Sequence, residues 1–152
     1  MTTPDPLLSV LTFNLNNPSL ERAERQLAWL AARPEHVLVL TETVASKGCD
    51  YLAERFSTAG YAVEFPTPDT GERGAMIVSR LPLAGPAPWC LDYLPHRAPI
   101  VTVKTDVGPL DIIGLYVPSR DTTPAKTERK RRFLASCRTT VPQGAPPVAR
   151  LV

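Results

Sequence analysis

The residues able to do chemistry in this chain sit at the C-terminal ends of apolar runs. Glu42 follows His36-Val37-Leu38-Val39-Leu40-Thr41, and Asn14 ends Leu11-Thr12-Phe13. A carboxylate that ends a buried run is either solvated at a loop mouth or bound to something positive, and its oxygens suit a hard cation such as Mg²⁺. An asparagine in the same position is either a turn former or a group that holds a neighbouring carboxylate or reaches a metal through its amide oxygen. Two further strand-like runs, Gly74-Ala75-Met76-Ile77-Val78-Ser79-Arg80 and Gly114-Leu115-Tyr116-Val117-Pro118, belong to the same set.

The elements that position these residues are legible from period and punctuation. Leu7 to Leu15 reads as a strand. Ser19 is placed to cap a helix in which Leu20, Ala23, Leu27, Leu30 and Ala31 recur at spacings of three and four, until Pro34 closes it. His36 to Thr41 is a second strand, continuous enough in apolar residues to be buried on both faces. A strand, helix, strand unit makes its two strands parallel, with a right-handed connection strongly preferred. Parallel strands put their C-terminal ends on one edge of the sheet, so Asn14 and Glu42 are expected together at the edge where ligands bind in open α/β sheets.

Farther along, Asp50 to Ala59 reads as a short helix with Gly60 at the position after its C-cap. Tyr61 to Phe65 and Ala75 to Ser79 read as strands, the second after a Gly71-Glu72-Arg73-Gly74 turn. Pro99 to Thr105 and Leu110 to Val117 read as two strands of a hairpin joined across Asp106-Val107-Gly108-Pro109. Thr123-Pro124 starts a last helix with Phe133, Leu134, Cys137 and Val141 on its apolar face. A final apolar run, Pro147 to Val152, reads as the start of another strand. The sum is mixed α/β, with six or seven strands and three helices.

Composition narrows the class further. The 152 residues are one domain's worth of chain, 43% of them hydrophobic, which argues against disorder. A net charge of +2 selects no partner globally, so an acidic substrate would be drawn by a local patch. No apolar run approaches the roughly 18–20 residues of a membrane span. The N-terminus lacks the basic segment of a signal peptide. Cys49, Cys90 and Cys137 are odd in number and far apart, without Cys-x-x-Cys, as expected of thiols in a reducing, cytoplasmic compartment.

Phe13-Asn14, Leu40-Thr41-Glu42-Thr43, Gly74 to Arg80 and Gly114-Leu115-Tyr116-Val117-Pro118, in this order and spacing, resemble successive motifs of the endonuclease/exonuclease/phosphatase superfamily. The flavour is that of exonuclease III and the apurinic/apyrimidinic endonucleases. Each motif is short, and the four in register make the signal. The resemblance implies an α/β (α+β) four-layer α/β/β/α sandwich and hydrolysis of phosphate esters with Mg²⁺ or Mn²⁺. It implies that Glu42 is the metal-binding carboxylate, that Asn14 belongs to the hydrogen-bonding network of the active site and that Tyr116 lies beside the scissile phosphate. Arg97 matches less securely, as a residue near the site, and His96 matches no catalytic histidine.

The family's later motifs, a Gly-Asp-x-Asn strand end, a further aspartate and a terminal Ser-Asp-His, have no counterpart in these 152 residues. Residues 1–152 are therefore expected to be one incomplete domain, its N-terminal part. Such a part is expected to expose an apolar sheet face and so to self-associate or take a complementing chain. Three functional readings stand. The first is a nuclease-like phosphodiesterase, weak or inactive in this length of chain, with a phosphate ester such as DNA as substrate. The second is a small-molecule or phospholipid phosphatase of the same family. The third is a non-catalytic binding module that retains the scaffold. Lys126, Arg129, Lys130, Arg131 and Arg132 crowd the last helix, either for a phosphate backbone or as its solvated face.

Overall fold

The computed structural model describes residues 8–119 and 123–141. Two sheets carry the fold. The first has four strands in the order β1, β2, β4, β3: β1 is Val10–Asn14, β2 Val37–Thr43, β3 Ala62–Glu64 and β4 Gly74–Ser79. The second is a hairpin of β5, Ile100–Thr105, and β6, Gly108–Ile113. As the sequence pattern predicts, β1 and β2 are parallel, with Asn14 opposite Thr41, and β5 and β6 are antiparallel.

Alternation along the strands sends one set of side chains to each face of the first sheet. Leu11, Phe13, Leu38, Leu40, Met76 and Val78 face the helices α1 (Leu20–Ala31) and α2 (Lys47–Thr58), where they pack with Leu30, Leu52 and Phe56. Val10, Val37, Val39 and Ile77 face the hairpin and pack with Val101, Val103 and Ile112. Gly114 sits between the sheets, where a Cβ would stand 3.0 Å from Val39 and 3.3 Å from Ile77. The result is helix, sheet, sheet. The helix α3 (Pro124–Thr140) inserts Phe133 into a third cluster with Leu91 and Ala98.

The helix boundaries follow their caps. Ser19 accepts from the Arg22 N–H and starts α1 as expected. The second helix begins three residues earlier than its apolar pattern suggests, because Ser46 caps it by accepting from the Cys49 N–H. Gly60 follows its C-cap with φ +93°.

Two expectations change. β6 ends at Ile113 rather than Val117, since Gly114 and Tyr116 turn their N–H groups to the carbonyls of Pro99 and Arg97. The apolar face of the first sheet is not left open either, because the hairpin covers Val39 and Ile77. What opens instead is a groove of about 180 Å³ between β1 and β6, lined by Val10, Thr12, Val39, Leu110 and Ile112. The other edge of β5 is closed by the bridge between Leu83 and Val103. The anticipated strand at Pro147 to Val152 lies outside the described residues, and no described helix is long and apolar enough to cross a membrane.

Gly74 ties the first sheet to the loop that carries Arg97. It pairs with Thr43, and a Cβ there would lie 2.2 Å from the His96 carbonyl oxygen. Backbone cannot yield as a flexible side chain can, so Gly74→Ala is expected to destabilise the fold by about 1–3 kcal/mol, as overpacking does. Chemical denaturation of the two proteins checks this.

Candidate functional site at the end of β2

β2 does not stop at Glu42; it bulges there. The register against β4 shifts between Thr41 and Thr43, and Glu42 takes φ +57°. A bulge leaves one residue out of the ladder and re-aims its side chain. The left-handed backbone of a non-glycine residue costs on the order of 1–3 kcal/mol and persists where surroundings hold it. Several groups hold it here. The Asn17 N–H donates to the Glu42 carbonyl at 3.1 Å. Arg73 Nη1 donates to Glu42 Oε2 at 2.7 Å, and the Tyr116 hydroxyl donates to Oε1 at 3.3 Å. The Glu42 side chain retains 17% of its exposure.

Tyr116 links this carboxylate to a second charged cluster. The Arg97 guanidinium lies 5.0 Å from the centre of its ring, and the two backbones are joined by the Tyr116 N–H to the Arg97 carbonyl at 2.9 Å. Arg97 is 7% exposed. Its Nη2 is 3.7 Å from Glu72 Oε2. The same oxygen takes His96 Nε2 at 3.4 Å and Arg129 of α3. Burial, and then the like charge of Arg129, pull the Arg97 pKa below its ordinary value despite Glu72. On Glu72, burial works upward but the bond from Arg129 and the charges of Arg129 and Arg97 outweigh it, leaving the carboxyl below its ordinary value.

Of the four residues singled out from the sequence, Glu42, Tyr116 and Arg97 meet. Asn14 ends β1 at the same sheet edge, but it is exposed and its Oδ1 accepts from the Asn16 N–H at 2.8 Å. Its side chain thus closes the turn after β1 and makes no hydrogen bond to Glu42 among the described residues. Asn16 and Asn17 continue the turn with φ +52° and +49°, and asparagine is among the few non-glycine residues that adopt a left-handed backbone readily.

The solved structures that share this architecture point one way. A 3′ phosphatase from Neisseria bound to product DNA hairpin superposes with a TM-score of 0.68 and 23% identity, over 88% of this chain and 51% of that one. An AP endonuclease from Archaeoglobus fulgidus gives 0.62 and 25%, over 86% and 49%. An endonuclease/exonuclease/phosphatase from Beutenbergia cavernae gives 0.55 and 22%, over 84% and 42%. The chain has the endonuclease/exonuclease/phosphatase fold. It spans about half the length, or less, of the structures it matches. At the level of sequence no family model matches it, and no curated protein does.

Within this fold, three residues of the site have no motif behind them: Glu72, Arg73 and Arg129. Their partners lie 24 to 57 positions away, so neither period nor local spacing announces them. The one local signal is a pair of opposite charges between Gly71 and Gly74. The turn itself is one step earlier than the glycines suggest, closed by the Glu72 N–H on the Asp69 carbonyl at 2.9 Å, with Gly71 at φ +84°.

The low pKa of Glu72 makes its ion pairs a source of acid sensitivity. Their contribution is complete above the unfolded-state pKa, near the ordinary 4.5, and is lost as pH falls through the lower folded-state value. Thermal melts from neutral pH downward are expected to show the wild type losing stability relative to Glu72→Gln only below about pH 4.5.

Proposed function

We propose that this chain is part of a metal-dependent phosphoesterase, nuclease-like in the longer protein, with Glu42 as the carboxylate that holds Mg²⁺ or Mn²⁺. The observation that carries the reading is the bulged, left-handed Glu42. A strained carboxylate is aimed out of a sheet edge beside a tyrosine hydroxyl and an arginine, in a fold shared with phosphatases and endonucleases. Residues 1–152 are read as one incomplete domain of this kind.

The donor set suits a lightly held cation. Among the described residues no group of three His, Cys, Asp or Glu could cage a metal. Mg²⁺ does not need one, since it keeps several waters and is bound through one or two carboxylates together with substrate phosphates. Such a cation, when bound, neutralises charge on a non-bridging phosphate oxygen and acidifies water. The chain's own residues do the rest. Glu42 supplies the anionic oxygens once Arg73 releases them. The Tyr116 hydroxyl, now donating to Oε1, can donate to a phosphate oxygen in the same place. Arg97 sits behind the tyrosine ring and adds positive potential where a phosphodiester would lie. Asn14, at the neighbouring strand end, is placed to reach a ligand through its side-chain amide if its turn bond is given up.

Among the described residues no side chain is assigned as the base that takes a proton from water. The 152-residue chain is therefore expected to turn over phosphodiesters weakly or not at all. Mn²⁺ binding, followed by the loss of its free-ion electron paramagnetic resonance signal, tests the site without relying on turnover. Glu42→Gln is expected to weaken Mn²⁺ binding about tenfold or more, the scale of losing one charged contact. Equal binding by the two proteins would remove Glu42 from the site. Brisk Mg²⁺-dependent hydrolysis by wild type that Glu42→Ala abolishes would confirm the carboxylate and overturn the expectation of weak turnover.

A further inference from the structure

Glu72 and Arg73 are adjacent in sequence and opposite in charge, and each occupies a place that a ligand of opposite kind would want. Arg73 stands on the Glu42 carboxylate. Glu72 stands on a cluster of cations, Arg97, Arg129 and His96. That cluster is short of anions among the described residues. Two guanidinium ions share one oxygen of one carboxylate, and their mutual repulsion is felt at Arg97, whose pKa is depressed by burial and by Arg129. The Arg97 Nε is buried without a hydrogen-bond partner. A buried guanidinium N–H left unpaired is costly, and a planar, five-donor fork is the side chain best matched to a phosphate.

From this juxtaposition we infer that Arg97, Arg129 and His96 form a binding site for the oxyanion of a phosphate ester, and that Glu72 is its internal, displaceable occupant. Glu72 is suited to leaving. Its side chain keeps 28% of its exposure, so the carboxylate can turn toward solvent without crossing the core. An arriving phosphate would then replace one carboxylate by a group with more acceptor oxygens, placed one tyrosine ring away from Glu42. The inference rests on the proposed phosphoesterase reading for its ligand class. It adds an anion site distinct from the Glu42 carboxylate, occupied in the free protein by Glu72 as Glu42 is by Arg73.

Calorimetric titration of inorganic phosphate into the full chain, without metal and at constant ionic strength, tests it. Glu72→Gln removes the competing charge and is expected to bind phosphate about tenfold more tightly than wild type, while Arg129→Gln binds it about tenfold more weakly. A folded Glu72→Gln protein with equal or weaker phosphate affinity overturns the inference. If that variant does not fold, the wild type decides: phosphate must raise its melting temperature more than chloride of the same ionic strength, and equal shifts overturn the site. Repeating the titration with a short DNA duplex separates the sources. A gain in Glu72→Gln for duplex as well as phosphate marks a backbone phosphate, and a gain for phosphate alone marks a small ester or terminal group. Mn²⁺ binding to the same wild-type protein is read separately, so failure of the anion site and failure of Glu42 as a metal ligand are told apart.

Discussion

The backbone of Glu42 is the constraint on which the site depends. A β-strand buried on both faces offers no outlet for a carboxylate, and this chain makes one by inserting an extra residue between Thr41 and Thr43 and giving it a left-handed φ. The strain is small beside the stability of a domain, on the order of 1–3 kcal/mol against 5–15 kcal/mol. It is still large enough to require holding from several directions. The Asn17 N–H, Arg73 and Tyr116 do so from the β1 turn, the β3–β4 loop and the segment after β6. Each of those segments is fixed in turn by the packing of the two sheets.

This explains why so much of the site rests on ordinary fold elements. Parallel pairing of β1 and β2 brings the Asn14–Asn17 turn to the bulge. Gly74 allows β4 to start directly against the His96 carbonyl, which brings the Glu72–Arg73 pair and the Arg97 loop together. Phe133 anchors α3 so that Arg129 reaches Glu72, while Arg132 lies 4.2 Å from the Tyr93 ring centre. The basic run of that helix is thus divided. Arg129 points into the site, and Arg131 pairs with Glu128 on the exposed side.

The sequence is most readable where the physics is local or periodic. The crossover from β1 through α1 to β2 follows from two apolar strands, a Ser19 cap and a helical stripe, and it correctly brings Asn14 and Glu42 to one edge. Alternation does not reveal a bulge, so Glu42 reads as the end of a strand that in fact runs on to Thr43. Nor does alternation distinguish an asparagine that turns the chain from one that serves a ligand. Arg97 has the composition of a surface residue and is buried, because the ring of Tyr116 and the carboxylate of Glu72 together receive its charge. Glu72 and Arg129 pair across 57 positions and leave no trace in spacing.

In the proposed function the Glu42 carboxylate is a cation site which Arg73 fills in the free protein. The most direct measurement is Mn²⁺ affinity in Arg73→Ala against wild type, with circular dichroism to establish that both are folded. Binding is expected to be about tenfold tighter in the variant, because a guanidinium competing for the same oxygen has been removed. Unchanged or weaker Mn²⁺ binding in folded Arg73→Ala would contradict it and would make the Arg73–Glu42 pair a structural ion pair.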